Sequence, residues 1–127
     1  MPQFARKLMC SCATLTTAIY VEDQPPTLLT SLDLIASGNW IRLCRCRNCG
    51  QLWRVDEADK YQTQFAFKLS NVAGWEAFDT KPVEIELLVK SRGGLSNQQC
   101  GKLGCDKRAV HGAAFCPDHL YETGTRR

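Results

Sequence analysis

Short alternating runs, rather than long amphipathic stretches, organise the apolar positions of this chain. Residues 16–21 hold Ala18, Ile19, Tyr20 and Val21 and run into Asp23-Gln24-Pro25-Pro26, the pattern of a strand closed by a turn. Ser31 stands where it can N-cap a short helix over residues 32–36, with Gly38 as its stop. Residues 40–55 predict two strands joined by Cys46-Arg47-Asn48-Cys49-Gly50. Phe65, Phe67 and Leu69 alternate with Gln64, Ala66 and Lys68, which suits a half-buried strand. Val83, Ile85, Leu87 and Val89 also alternate. However, Thr80 can serve as N-cap, Pro82 fits a first helical turn and Gly93-Gly94 makes a C-terminal stop, so this segment is assigned to a helix. Past Cys100 large apolar residues are scarce and metal-ligand types frequent, so bound metal is expected to supply the folding energy there.

These elements predict an α+β fold: a small antiparallel sheet with a zinc-ribbon-like hairpin, one or two short helices and a C-terminal zinc knuckle. The expected division is an α+β domain over residues 1–95 and a knuckle over 96–127. Composition agrees with a globular chain, at 44% hydrophobic and 23% charged residues. The longest apolar runs, such as Leu87-Leu88-Val89, fall far short of the roughly 20 residues that span a bilayer. Residues 1–12 carry Arg6 and Lys7 but no apolar stretch of the secretory type. A cytoplasmic, non-membrane protein is the expectation.

Eight cysteines in 127 residues change the picture more than any other count. With no export signal and with metal-type spacings, reduced, metal-bound thiols are expected rather than disulfides. Cys100, Cys105, Cys116 and His119 form C-x4-C-x10-C-x2-H, three thiolates and an imidazole, a full tetrahedral set for zinc. Pro117 can open a short terminal helix through Tyr121, and His111 falls in an exposed turn. Cys46 and Cys49, followed at once by Gly50, form the hairpin half of a zinc ribbon and need two further ligands. Cys10 and Cys12 supply them, giving a second site of Cys10, Cys12, Cys46 and Cys49. Cys44 is read as a buried non-ligand, with exchange for Cys12 or Cys46 as the alternative. A redox C-x2-C pair is disfavoured, because a strand pattern rather than a helix follows it. With four protein ligands each, both zinc sites are closed and structural, and no nucleophile–base pair or phosphate loop accompanies them. The chain is therefore expected not to be an enzyme.

Two local resemblances bear on function. The string from Cys100-Gly-Lys-Leu-Gly-Cys105 to Phe115-Cys116-Pro117-Asp118-His119 resembles the zinc knuckle that precedes the catalytic part of many phage HNH endonucleases. The catalytic histidines of those enzymes have no counterpart here, so the resemblance implies a metal site and not nuclease activity. The segment Cys49-Gly-Gln-Leu-Trp53-Arg-Val-Asp56, continuing to Asp59-Lys60-Tyr61-Gln62, resembles small zinc-ribbon immunity proteins of bacterial toxin systems. That resemblance implies a non-enzymatic inhibitor of a toxin, with Asp56, Glu57, Asp59, Tyr61 and Trp75 as partner-binding residues.

Charge distribution supplies the alternative. Residues 40–55 carry Arg42, Arg45, Arg47 and Arg54 and no acid, whereas residues 56–90 carry seven acids against four lysines. With Trp40 and Trp53, the arginines match a zinc-ribbon nucleic-acid binder or small transcriptional regulator that stacks bases and neutralises phosphates. The bland reading of the same residues is core tryptophans, with arginines solvated or paired to the acids at 56–59.

Overall fold

A computed structural model describes residues 10–127; the N-terminal stretch read above for a secretory signal falls largely outside the described residues. The chain forms two compact units, Met1–Phe78 and Asp79–Arg127. The expected division at 95/96 therefore lies C-terminal to the one observed, because the helix before it packs with the knuckle.

In the first unit a five-stranded antiparallel sheet runs in the order β1-β5-β4-β3-β2. Its strands are β1 (Ala18–Tyr20), β2 (Leu32–Gly38), β3 (Ile41–Cys46), β4 (Leu52–Asp56) and β5 (Phe65–Leu69), with a one-turn helix α1 (Thr27–Thr30) before β2. Residues 32–36 are thus strand and not the expected helix. Ser31 ends α1 instead of starting a helix, its hydroxyl donating to the Leu28 carbonyl at 2.7 Å. Gly38 and Ile41 face each other across a two-residue loop, Asn39 (φ 52°) and Trp40 (φ 66°). Positive φ at both positions is what a tight hairpin matching the sheet twist requires. Gly38, expected to stop a helix, is instead the last residue of β2 before this turn.

Alternation sorts the sheet into two faces. On one, Ile19, Val21, Cys44, Cys46, Trp53, Val55 and Ala66 form a buried cluster joined by Leu28 and by Cys12, from a 3₁₀ turn over Cys12–Thr14. On the other, Phe65 stacks near Tyr20 and Phe67 with ring centroids 5.4 and 5.5 Å apart, and Phe67 meets the edge of Phe78 at 6.4 Å. Arg54, on this second face, donates to the carbonyls of Trp75, Glu76 and Phe78 at 2.9–3.4 Å and so pins the closing segment over the aromatic residues. Strand β5 lies between β1 and β4, so Ala66 is buried as fully as Phe65 and Phe67, where half-burial was expected.

The second unit holds α2 (Lys81–Ser91), a two-stranded sheet of β6 (Leu95–Gln99) and β7 (Arg108–Val110), and α3 (Pro117–Glu122). The ambiguous segment is thus helical. The Gly94 N–H returns to the Val89 carbonyl at 2.9 Å, which closes the helix as the glycine pair predicted. Thr80 does not cap by its side chain; its hydroxyl bonds the Glu84 carboxylate. Leu88, Val110 and Leu120 make a small core, flanked by Val89, Phe115 and Tyr121. Glu84 accepts from the Tyr121 hydroxyl at 3.2 Å and pairs with Arg126 at 3.6 Å, fastening α2 to α3. No helix of the described residues is long and apolar enough to cross a membrane.

Because so few residues form this second core, truncating its centre should be decisive. Leu88→Ala is expected to cost about 2–5 kcal/mol and to leave residues 79–127 sensitive to protease while the five-stranded sheet keeps its circular-dichroism signal. A native digestion pattern would show that Leu88 does not hold this unit together.

Candidate functional site

Two sets of ligand-type side chains converge among the described residues: Cys10, Cys12, Cys46 and Cys49 in the first unit, and Cys100, Cys105, Cys116 and His119 in the second. Within each set the ligand atoms all lie within 4.8 Å of one another. All eight cysteines are free. Cys44, buried on the same strand as Cys46, stays outside the cluster, and burial, partly offset by Arg42, pushes its thiol up.

Local backbone geometry explains the first set. The Cys46 N–H bonds the Gln51 carbonyl and the Gly50 N–H bonds the Cys46 carbonyl, both at 2.9 Å, which closes the hairpin end into a knuckle. Gly50 at φ 79° permits that reversal. Burial raises the Cys46 thiol, but the N–H groups of Cys49 and Asn48 point at its sulfur and bring it below the ordinary value. At Cys49 burial prevails over the Gln51 N–H, and the thiol is raised. Cys12, 2% exposed, is pushed up to about 12 by burial, with Trp53 acting in the opposite direction.

The second set repeats this logic. Gly101 lets the chain pass close to the Ala114 carbonyl, which accepts its N–H at 2.7 Å; a Cβ there would stand 3.2 Å from that oxygen. Burial opposes ionisation of Cys100, but backbone N–H groups of Cys116 and Lys102, with His119, bring its thiol down to about 6. Cys105 is raised: the Lys107 N–H favours its thiolate, but burial and the sulfurs of Cys100 and Cys116 together outweigh it. His119 Nδ1 lies 3.4 Å from the Cys100 sulfur and 3.3 Å from that of Cys116, so Nδ1 is the nitrogen turned into the cluster. The Cys105 and Cys116 sulfurs are 3.9 Å apart. That is far beyond a disulfide bond of about 2.0 Å, and close to the edge of about 3.8 Å set by tetrahedral metal–sulfur bonds of about 2.3 Å. Both sets are geometrically consistent with holding a metal ion. His111 is exposed in a turn, as expected.

The remaining site residues separate. Asp56, Glu57 and Asp59 line one cleft of about 320 Å³ with Asn39, Trp40 and Gln62. Asp56 accepts the Phe65 N–H at 3.1 Å, Glu57 pairs with Arg42 at 3.4 Å and Asp59 accepts the Tyr61 N–H at 2.9 Å. Tyr61 is 83% exposed, with Lys60 over its ring. Trp75 is half-buried and lines a different cavity, of about 250 Å³, with Thr17, Lys68 and Phe78. Trp40, read from the sequence only as an aromatic of the ribbon, is 77% exposed at the rim of the acidic cleft. Its signal was Gly38-Asn39 just before it. Trp53 by contrast is fully buried, Arg47 pairs with Asp33 at 3.0 Å and Arg54 is spent on carbonyls.

No family model, curated protein or solved structure matches this chain.

Two metal equivalents per chain are expected by elemental analysis, and one in Cys116→Ala. Ligation requires thiolates, so each raised thiol must give up a proton on binding and affinity must rise with pH. Both sites should therefore lose their metal on acidification, which chelator-dye titration of Cys116→Ala and Cys46→Ala at stepped pH reads separately; metal held equally well at every pH would contradict thiolate ligation.

Proposed function

We propose that this chain is a non-enzymatic binding protein built around two structural zinc ions, and that it serves as a cytoplasmic immunity protein that neutralises a cognate bacterial toxin. Zinc suits both donor sets: four thiolates, or three and an imidazole, fill a tetrahedron and leave no position for water or substrate. Cys10, Cys12, Cys46 and Cys49 would hold one ion, and Cys100, Cys105, Cys116 and His119 the other. Zinc would supply folding energy rather than chemistry.

One observation carries the binding reading: the exposed Trp40, kept at φ 66° on a hairpin tip beside the cleft of Asp56, Glu57 and Asp59. The tight hairpin requires that left-handed backbone, and a tryptophan there in place of glycine costs about 1–2 kcal/mol with no burial to offset it. Aromatic anchors beside charged rims typify protein interfaces, and a toxin's basic active surface would meet this one by charge as well as area. Of the ribbon's basic and aromatic residues, Trp53 is fully buried and Arg54 is turned to backbone carbonyls, so neither is offered to a nucleic acid, which favours a protein partner.

Trp40→Gly tests the reading. Relief of backbone strain offsets glycine's entropy, so stability should stay within about 1 kcal/mol of the native chain. The reading expects a toxin-type gene directly upstream, and cells co-expressing that gene should be protected by the native chain and lose protection with Trp40→Gly. Undiminished protection would remove Trp40 from the binding face. Tight DNA or RNA binding at physiological salt, abolished by Arg45→Ala, would favour the nucleic-acid reading instead.

A further inference from the structure

Lys68 is out of place in its own strand. The sequence of β5 is Phe-Ala-Phe-Lys-Leu, and every residue but this lysine is buried. The strand lies inside the sheet between β1 and β4, so a charged side chain there gives up solvent and must find partners. Alternation puts Lys68 on the face of Ala66, directly opposite Trp53 on β4, where Cys12 and Cys46 join the core. Its Nζ lies 5.9 Å from the centre of the Trp53 ring, within cation–π range. The ammonium donates to the Leu15 carbonyl at 2.6 Å, and the Lys68 backbone N–H donates to the Thr17 carbonyl at 2.8 Å. One residue thus holds both ends of the short link between the Cys12 turn and β1. That turn, Cys12–Thr14, is a single 3₁₀ turn, closed by the Thr14 N–H on the Ser11 carbonyl at 2.9 Å and the Leu15 N–H on the Cys12 carbonyl at 3.1 Å. One turn fixes several dihedrals for few bonds and does not persist unaided. Cys12 and Leu15 pack on the core, but apolar packing has no direction, whereas the lysine bond does. Lys68, Cys12 and Cys49 also line one groove, of about 710 Å³, which sets the lysine beside the cysteine cluster.

We propose that Lys68 is a positioning residue of the N-terminal metal site: its ammonium, acting through the Leu15 carbonyl, holds the Cys12 turn where that thiol meets Cys10, Cys46 and Cys49. This rests on the reading of those four cysteines as a metal site. The hairpin of β3 and β4 carries Cys46 and Cys49, whereas Cys10 and Cys12 arrive on a segment outside the sheet. Without the ammonium that segment must be ordered at the moment of binding, and the ordering is subtracted from metal affinity. A hydrogen bond from a charged donor is strong enough to change an equilibrium constant by about 10–100-fold.

The test uses the full chain loaded with ¹¹³Cd, whose NMR signals separate the two sites by donor set, with a competing chelator to read the affinity of each. Lys68→Met keeps the apolar stem and loses the donor. It should weaken the N-terminal site by about 10–100-fold and leave the C-terminal site unchanged, and Lys68→Arg should recover most of the loss. Arg54→Met removes a side-chain anchor to carbonyls on the opposite face of the same sheet and should keep native N-terminal affinity. Native affinity in Lys68→Met overturns the role of Lys68 and leaves the metal site standing. An equal loss in Arg54→Met, or a loss at both sites in Lys68→Met, also overturns that role, because either marks a general weakening of the fold. Failure of Cys10, Cys12, Cys46 and Cys49 to take up cadmium in the native chain overturns both. In the native chain labelled with ¹⁵N and ¹³C, a through-hydrogen-bond coupling should join the Lys68 Nζ to the Leu15 carbonyl carbon. Its absence overturns the proposal whatever the variants do.

Discussion

Four soft donor atoms brought within 4.8 Å of one another, twice in one chain, set the terms for most of this structure. Sulfur atoms so placed repel once ionised, and as thiols they bury poorly solvated groups, so each cluster is stable only where N–H groups and a cation offset the charge. The backbone provides the N–H groups. Asn48 and Cys49 turn theirs to Cys46, and Lys102 and Cys116 turn theirs to Cys100. The hairpin end closed at Gly50 and the tight passage at Gly101 exist to make those N–H groups converge.

Each cluster is then welded to a small apolar core. In the first unit Cys12 and Cys46 are members of the core itself, beside Trp53 and Val55. In the second, Cys116 is fully buried at the start of α3, and Leu120 one turn later packs on Leu88 and Val110. A helix of four turns or fewer with one buried residue could not hold 49 residues by apolar area alone. The helix α2 belongs with the knuckle because Leu88 packs with Val110 and Leu120, and a metal in the cluster would share the task with that core.

The surface shows a different economy. An ion pair such as Arg47 with Asp33, each side chain 59% accessible, contributes about 0–1 kcal/mol. Trp40 is the exception to a surface that otherwise asks little of the backbone, since it is both strained and uncovered.

Ligand chemistry and spacing were legible in the sequence because metal coordination depends on residue type and short loops. Both four-residue sets, the hairpin that carries Cys46 and Cys49, the helix stopped by Gly93-Gly94 and the α+β class could all be read without coordinates. Residues 32–36 could not, since a five-residue stretch has no period long enough to separate strand from helix, and pairing with β3 decided it. The division after Phe78 was likewise hidden, because it depends on Leu88 meeting Val110 and Leu120, contacts remote in sequence. The two tryptophans of the ribbon look alike in the sequence. Only the tertiary structure buried Trp53 against Cys12 and left Trp40 in solvent, because burial is set by which strand covers a position and not by the residue that occupies it.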